Sequence, residues 1–470
     1  MLEPMNNRVG MLTGATGYVG GLVLERLLDE GWTVRVLVRD ADKLDPEVAN
    51  RVEVVEGDAE SSEDLARAMD GAEVAWFLIH SMGGDGDFAQ TEHNIAEAFA
   101  QAARRSGVQR IVYLGGLHPD DEELSEHLAS RVEVGRILMD SGVPTAAIQA
   151  GVVLGAGSAS FDMLRTLTER LPAAGGPAWL RNEIQPIDAR DIVHYLVAAA
   201  DLPAEVNRTF DVGGPDRLSY AEMMQRYAEV RGLGPRPVLT APVMTPRLAS
   251  HWIGLITPVE AKLAAPLVGS MLHDTVVKER DLDELVGAPE GGATGFDDAV
   301  RDAAQDHDSW IFPRTAAIVG AAVTATAVAG VVATRPNTLW YRTLRKPAWQ
   351  PPAAAFGPVW TLLYADIAVV SALALTDRAE GFESDGRKSY AAALAANLVL
   401  NAGWSWAFFR SRNLPLATGV AVALAASSAD LVRRVGVPRT QRGVVLAPYA
   451  AWTGFAAVLT NSLRRRNPRR

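Results

Sequence analysis

Along the first 215 or so residues, short apolar runs alternate with longer stretches whose apolar residues recur every three or four positions. The runs predict strands at Val9–Leu12, Thr33–Val38, Val52–Glu56, Val74–Ile79, Arg110–Leu114 and Thr145–Gln149. The stretches between them, for example Val19–Glu30 and Gln90–Ser106, predict helices. That alternation is the mark of βαβ units and a parallel sheet. From about 216 to 310 the pattern is mixed, with many prolines between Gly234 and Pro266, and GAPEGGATGFDD reads as a surface loop. From Thr315 the texture changes. Thr315–Thr334 is uncharged and long enough to cross a hydrocarbon core of about 30 Å. Four similar runs follow at Phe356–Thr376, Ser389–Phe409, Leu414–Val432 and Val444–Leu463. The expected division is a dinucleotide-binding α/β part at 1–230, a cap and connector at 231–312, and five transmembrane helices within 313–470.

Charge sharpens this division. Residues 311–470 hold 19 Lys and Arg against 6 Asp and Glu, leaving 26 basic and 50 acidic residues before them. A basic, apolar C-terminal third points to a lipid bilayer. Cysteine is absent, which excludes disulfides, thiolate metal sites and cysteine nucleophiles. The start MLEPMNNRVG lacks a basic stretch followed by an apolar core, so no cleavable signal is expected and the N-terminal part is read as cytoplasmic. No nucleic-acid partner is expected. With five spans the tail RRRNPRR then lies outside. Near the helix ends, 8 basic residues fall on the N-terminal side and 11 on the other, so the positive-inside rule does not favour this arrangement.

The first strand runs into Thr13-Gly14-Ala15-Thr16-Gly17-Tyr18-Val19-Gly20 and then a helix. Glycines there let the backbone turn tightly and approach a pyrophosphate, which sits on the helix N-terminus. The expected fold is an α/β Rossmann-type doubly wound parallel sheet, followed by an all-α five-helix transmembrane bundle. Arg39 closes the second strand and suits a ribose 2′-phosphate, favouring NADP(H) over NAD(H); Asp40, next to it, keeps NAD open.

TGATGYVG, FLIHSMGG, IVYLGGL, HLASRVEVGRIL, GSASF, QPIDARDIVHYL and FDVGGP, in that order over residues 8 to 230, resemble the NmrA-like, atypical short-chain dehydrogenase/reductase family. The resemblance implies that Gly14, Thr16, Gly17, Tyr18, Val19, Gly20, Arg39 and Asp58 bind the cofactor, and that His80-Ser81-Met82 passes near its nicotinamide end. The superfamily's usual Tyr-x-x-x-Lys pair is replaced here by His127 and Arg131, and its upstream serine by the glycines of LGGL. Histidine donates protons near neutral pH, so His127 is a candidate acid with Arg131 on the ribose, and His80 is a second candidate. A surface histidine and a structural arginine are the competing reading.

WYxxLxKPxWxPP, FGPVWTxLY, LNxGWSWAFF and APYxAWxxFAxxLxN, across about 315 to 463, resemble the TspO/MBR family, the tryptophan-rich sensory or translocator proteins. That family binds porphyrins and other lipophilic molecules. The resemblance makes Trp340, Trp349, Trp360, Tyr364, Asn401, Trp404, Phe408 and Trp452 the candidate lining, with helix packing as the competing role, and implies a possible homodimer through this part. All eight histidines and all eleven methionines precede residue 310, so the usual axial haem ligands are missing and no metal site is expected. Asp366 inside the second span is costly in a bilayer, and its role is open.

Together these features predict a membrane-anchored NADP(H)-binding oxidoreductase acting on, or coupled to, a tetrapyrrole, bilin or other lipophilic ligand. The alternatives are a sensor or regulator without turnover, and a transporter of porphyrin-like ligands.

Overall fold

A computed structural model describes residues 8–79, 88–120, 124–240, 253–259, 267–383 and 386–468. They form two compact units. The first takes the described residues up to Ile253 and Val259–His307; the second takes Gly254–Pro258 and Asp308 onward.

The first unit is built on seven strands: β1 (Val9–Thr13), β2 (Thr33–Val38), β3 (Glu53–Glu56), β4 (Val74–Phe77), β5 (Arg110–Gly116), β6 (Thr145–Ala150) and β7 (Arg208–Val212). They lie side by side in the order β7-β6-β5-β4-β1-β2-β3, every neighbouring pair parallel. The near-continuous apolar runs follow from burial on both faces. In β4, Val74 and Trp76 join one core with Val23, Leu24, Ile192 and Leu196, from the helices Tyr18–Asp29 and Ala189–Ala198. Ala75 and Phe77 point the other way, into a core with Leu65, Phe99, Val134 and Leu138. The sheet is therefore doubly wound. Between β1 and β4 the strand order reverses, which opens a crevice at the carboxyl ends of the strands.

The 231–312 stretch does not stand apart as one piece. The helix Phe296–Ala303 buries Phe296, Ala299 and Val300, while Arg226 binds Asp297 at 2.9 Å and Asp216 at 2.7 Å in the first unit. Gly254–Pro258 instead belongs with the second unit, where Arg439 and Arg442 donate to the carbonyls of Pro258 (2.6 Å) and Leu255 (3.2 Å).

In the second unit five helices are long and apolar enough to cross a membrane: Ile311–Ala333, Ala353–Ala379, Arg387–Arg410, Leu414–Gly436 and Thr440–Arg466. The third ends in a π-helical turn, Trp406–Arg410, followed by Arg412 at φ 52°. Such turns add a residue to the helix and re-aim the side chains that follow.

Candidate functional site

At the end of β1 the chain turns through Gly14 at φ 76°, where a side chain would place its Cβ 2.4 Å from the Leu78 carbonyl oxygen. A Cβ on Gly20 would come 2.1 Å from the Gly14 oxygen. These two positions admit glycine alone, and they bring helix, turn and strand close together. Gly17 caps the helix Tyr18–Asp29 without any side-chain hydrogen bond, so the first-turn N–H groups are left for an outside acceptor. Gly14, Thr16, Gly17, Tyr18, Val19, Gly20, Arg39 and Asp58 all line one cleft of about 720 Å³. A backbone cradle that any side chain would fill, open to a helix N-terminus, fits a dinucleotide pyrophosphate.

Arg39 is exposed at the cleft and makes no hydrogen bond or ion pair among the described residues. Asp40 is engaged locally: its Oδ1 accepts from the Asp42 N–H at 3.1 Å and its Oδ2 faces Lys43 at 3.8 Å. Tyr18 is half-buried, and burial, with Asp188 and Asp162 adding to it, pushes its hydroxyl up to about 12.

Arg131 lines the same cleft from the helix Glu126–Met139. Its guanidinium lies over the Tyr113 ring, 5.2 Å from the centroid, and donates to the Leu114 carbonyl. Tyr113 donates its own proton to the Arg131 carbonyl at 3.0 Å, and burial pushes that phenol up to about 12. His127 sits one turn before Arg131, in the first turn of the helix, half-buried. His80, Ser81 and Met82 lie outside the described residues. A histidine that the sequence reading passed over, His118, stands just past β5. Its Nδ1 is 3.0 Å from the Pro119 carbonyl oxygen and its Nε2 3.1 Å from the Gln149 amide nitrogen, at the end of β6. The signal was its place, two residues after the paired glycines that stand where a serine is usual.

In the second unit the aromatic candidates meet in pairs. Trp404 stacks on Phe408 at 5.5 Å and 24°, and Trp340 meets the same ring edge-on at 5.5 Å. Trp349 and Trp452 both contact Phe455, at 5.8 and 5.3 Å, and Trp360 lies 5.3 Å from Tyr364. Asn401 is buried and both ends of its amide are hydrogen-bonded. It accepts from the Tyr364 hydroxyl at 2.7 Å and donates to that of Tyr449 at 3.1 Å. Tyr449 passes its proton to Asn397 at 2.7 Å, which donates to Ser427 and Ser428. Asp366 shares a flank with the exposed Leu362 and Val369 and has no hydrogen bond or ion pair among the described residues.

Comparison with known proteins separates the chain along the same line. Residues 14–149 match a family described as NAD(P)H-binding, and residues 316–466 match the TspO/MBR family. The ceramide reductase of Caulobacter vibrioides is 30% identical over 231 residues, 48% of this chain and 71% of that protein. The tryptophan-rich protein TspO of Chlorobaculum tepidum is 33% identical over 138 residues, 28% of this chain and 83% of that one. The triphenylmethane reductase of Citrobacter sp. shares the fold, with a TM-score of 0.50 at 20% identity over 63% of this chain and 99% of that one. The chain thus belongs, through its C-terminal part, to the TspO/MBR family of membrane proteins, and carries an NAD(P)H-binding, reductase-like domain ahead of it.

Proposed function

We propose that this chain is a membrane-anchored, NADP(H)-dependent reductase of a lipophilic carbonyl, quinone or bilin, with its cofactor unit on the cytoplasmic side. The observation that carries this reading is the division of labour at the end of β2. Arg39 is free at the cleft, whereas Asp40, the residue that would favour NAD, caps the next turn. The bound cofactor would supply hydride. The chain's own residues would do the rest: Gly14, Gly17 and Gly20 seat the pyrophosphate, Arg39 the 2′-phosphate, and Arg131 the ribose. His127, one turn from Arg131, gives the proton that the reduced oxygen or nitrogen takes up. The name of the Caulobacter relative, a ceramide reductase, supports a lipophilic substrate. The family of the C-terminal unit supports a pool of such molecules held in the bilayer.

A second reading, cofactor binding without turnover, is favoured by the loss of the Tyr-Lys pair and by Arg131 donating to Leu114 rather than standing free. Anaerobic NADPH absorbance of the detergent-purified full chain separates the two. A substrate panel of a long-chain ketone, a quinone and a bilin should give substrate-dependent loss of the NADPH band. That loss should disappear in Gly17→Asp and fall by about 10²-fold or more in His127→Ala. If NADPH binds and the band persists with all three, the reductase reading fails and the sensor reading replaces it.

A further inference from the structure

Three segments far apart in sequence come together at one end of the helical unit. They are the connection after the first long helix, the turn between the third and fourth, and the stretch closing the fifth. The Asn467 amide accepts from the Arg345 N–H at 3.0 Å and donates to the Arg345 carbonyl at 3.2 Å. Arg410 donates to the Val332 carbonyl at 2.8 Å. Beneath them Leu344, Phe408, Leu414 and Leu463 share one buried apolar cluster.

The charges on these segments all have one sign. Arg335, Arg342, Arg345, Lys346, Arg410, Arg412 and Arg464 to Arg466 stand there without a single Asp or Glu in 334–352, 406–416 or 461–468. All but Arg410 are exposed, and no ion pair joins any of them among the described residues. The opposite end is different in kind. There Arg378 binds Glu383 at 2.6 Å, Arg442 binds Asp377 at 2.8 Å, Arg434 binds Asp430 at 2.6 Å, and Arg314 pairs with Asp308. One end pairs most of its cations within the chain, Arg387 and Lys388 excepted among the described residues, whereas the other pairs none and leaves them for an outside anion.

The exposed apolar residues beside them say where that anion lies. Leu339 (79% exposed), Trp349 (48%), Trp406 (45%) and Leu416 (50%) interrupt the basic surface. Tryptophan among cations at the end of spanning helices settles at the boundary between acyl chains and headgroups. At that level the anions form a sheet, and cations spread over three segments match a sheet rather than a single small ion.

We propose that this end of the helical unit is a docking surface for anionic phospholipid headgroups, with Trp349 and Trp406 set just beneath the phosphates. The proposal rests on the five helices spanning the bilayer, and not on turnover at the cofactor cleft.

The test is lipid retention by the full chain. Protein in mild detergent is titrated with phosphatidylglycerol or phosphatidylcholine of the same chains, and bound lipids are counted by native mass spectrometry. The wild type should hold several-fold more phosphatidylglycerol, and the excess should shrink as salt is raised. The triple variant Arg464→Gln, Arg465→Gln, Arg466→Gln should lose most of that excess. Arg342→Gln with Arg345→Gln, on another segment, should lose part of it. Arg433→Gln, at the opposite end, should keep it. Circular dichroism of each variant checks that the helices remain, and the paired variants are read only against folded protein. Equal retention of the two lipids by the wild type, or an undiminished excess in both the triple and the double variant, overturns the proposal. Displacement of the lipid by inorganic phosphate overturns it in favour of a soluble anion.

Discussion

Arg39 and Asp40 stand side by side with opposite chemistry, and their neighbours decide which of them is available. The Asp42 N–H and the Lys43 ammonium engage Asp40, and on the proposed reading Arg39 meets the 2′-phosphate of the cofactor. Charge-assisted bonds to a phosphate are worth about 1.5–3 kcal/mol. Arg39→Ala should therefore weaken NADP+ about ten- to a hundredfold while leaving NAD+ nearly unchanged, measured as dissociation constants by fluorescence titration. An equal loss for both cofactors would place Arg39 away from the 2′-phosphate. Glu169 makes a second prediction. Burial alone would raise its carboxyl, but His307 at 3.0 Å, Arg165 at 3.4 Å and Tyr227 at 2.5 Å outweigh burial and hold it below the usual range. A carboxyl lowered on folding stabilises the protein fully above its ordinary range and loses that contribution as acid approaches the lowered value. Breaking such a buried group of charges costs about 3–5 kcal/mol. Glu169→Gln should melt well below the wild type at neutral pH, and the gap should narrow as the pH falls into the carboxylate range. A gap independent of pH would show that charge is not what Glu169 contributes. The glycines of the turn and the place of Arg39 at the cleft were legible in the sequence because they are set locally. His118 was not, because its partner Gln149 comes from a different strand.

At the scale of elements, periodicity was enough to find β2 to the residue, and the other five expected strands with one end of each displaced. It passed over β7, Arg208–Val212, which completes the sheet beside β6. A short run at the sheet edge carries little pattern of its own, and its strand character comes from the neighbour it pairs with. Among the spanning helices, composition shows length but not which polar side chains meet. Tyr364, Asn401, Tyr449 and Asn397 form one hydrogen-bonded file across the second, third and fifth helices. Asn401, a candidate for the ligand lining, is thus also tied to the second and fifth helices. Tyr449→Phe removes the middle of the file and leaves two buried amides short of a partner. We expect a loss of about 1–2 kcal/mol, seen as a lower thermal midpoint in detergent. An unchanged midpoint would mean that water replaces the hydroxyl.

For the whole molecule, the sequence by itself determined the two-part organisation, the doubly wound sheet, the pyrophosphate turn and the number of spanning helices. Each of these is written in a short-range quantity: the period of apolar residues, the glycine spacing, or the length of an uncharged run. Tertiary structure alone decided how 231–312 is shared between the units and that Asn401 is bonded to Tyr364 and Tyr449. The charge asymmetry is partly written in the sequence, which places no Asp or Glu at the basic end; the structure adds which cations at the other end are paired, among them Arg442 with Asp377 of a different helix. The reason is that composition counts groups, whereas pairings such as Arg442 with Asp377 or Asn401 with Tyr449 depend on which distant segments return to the same place.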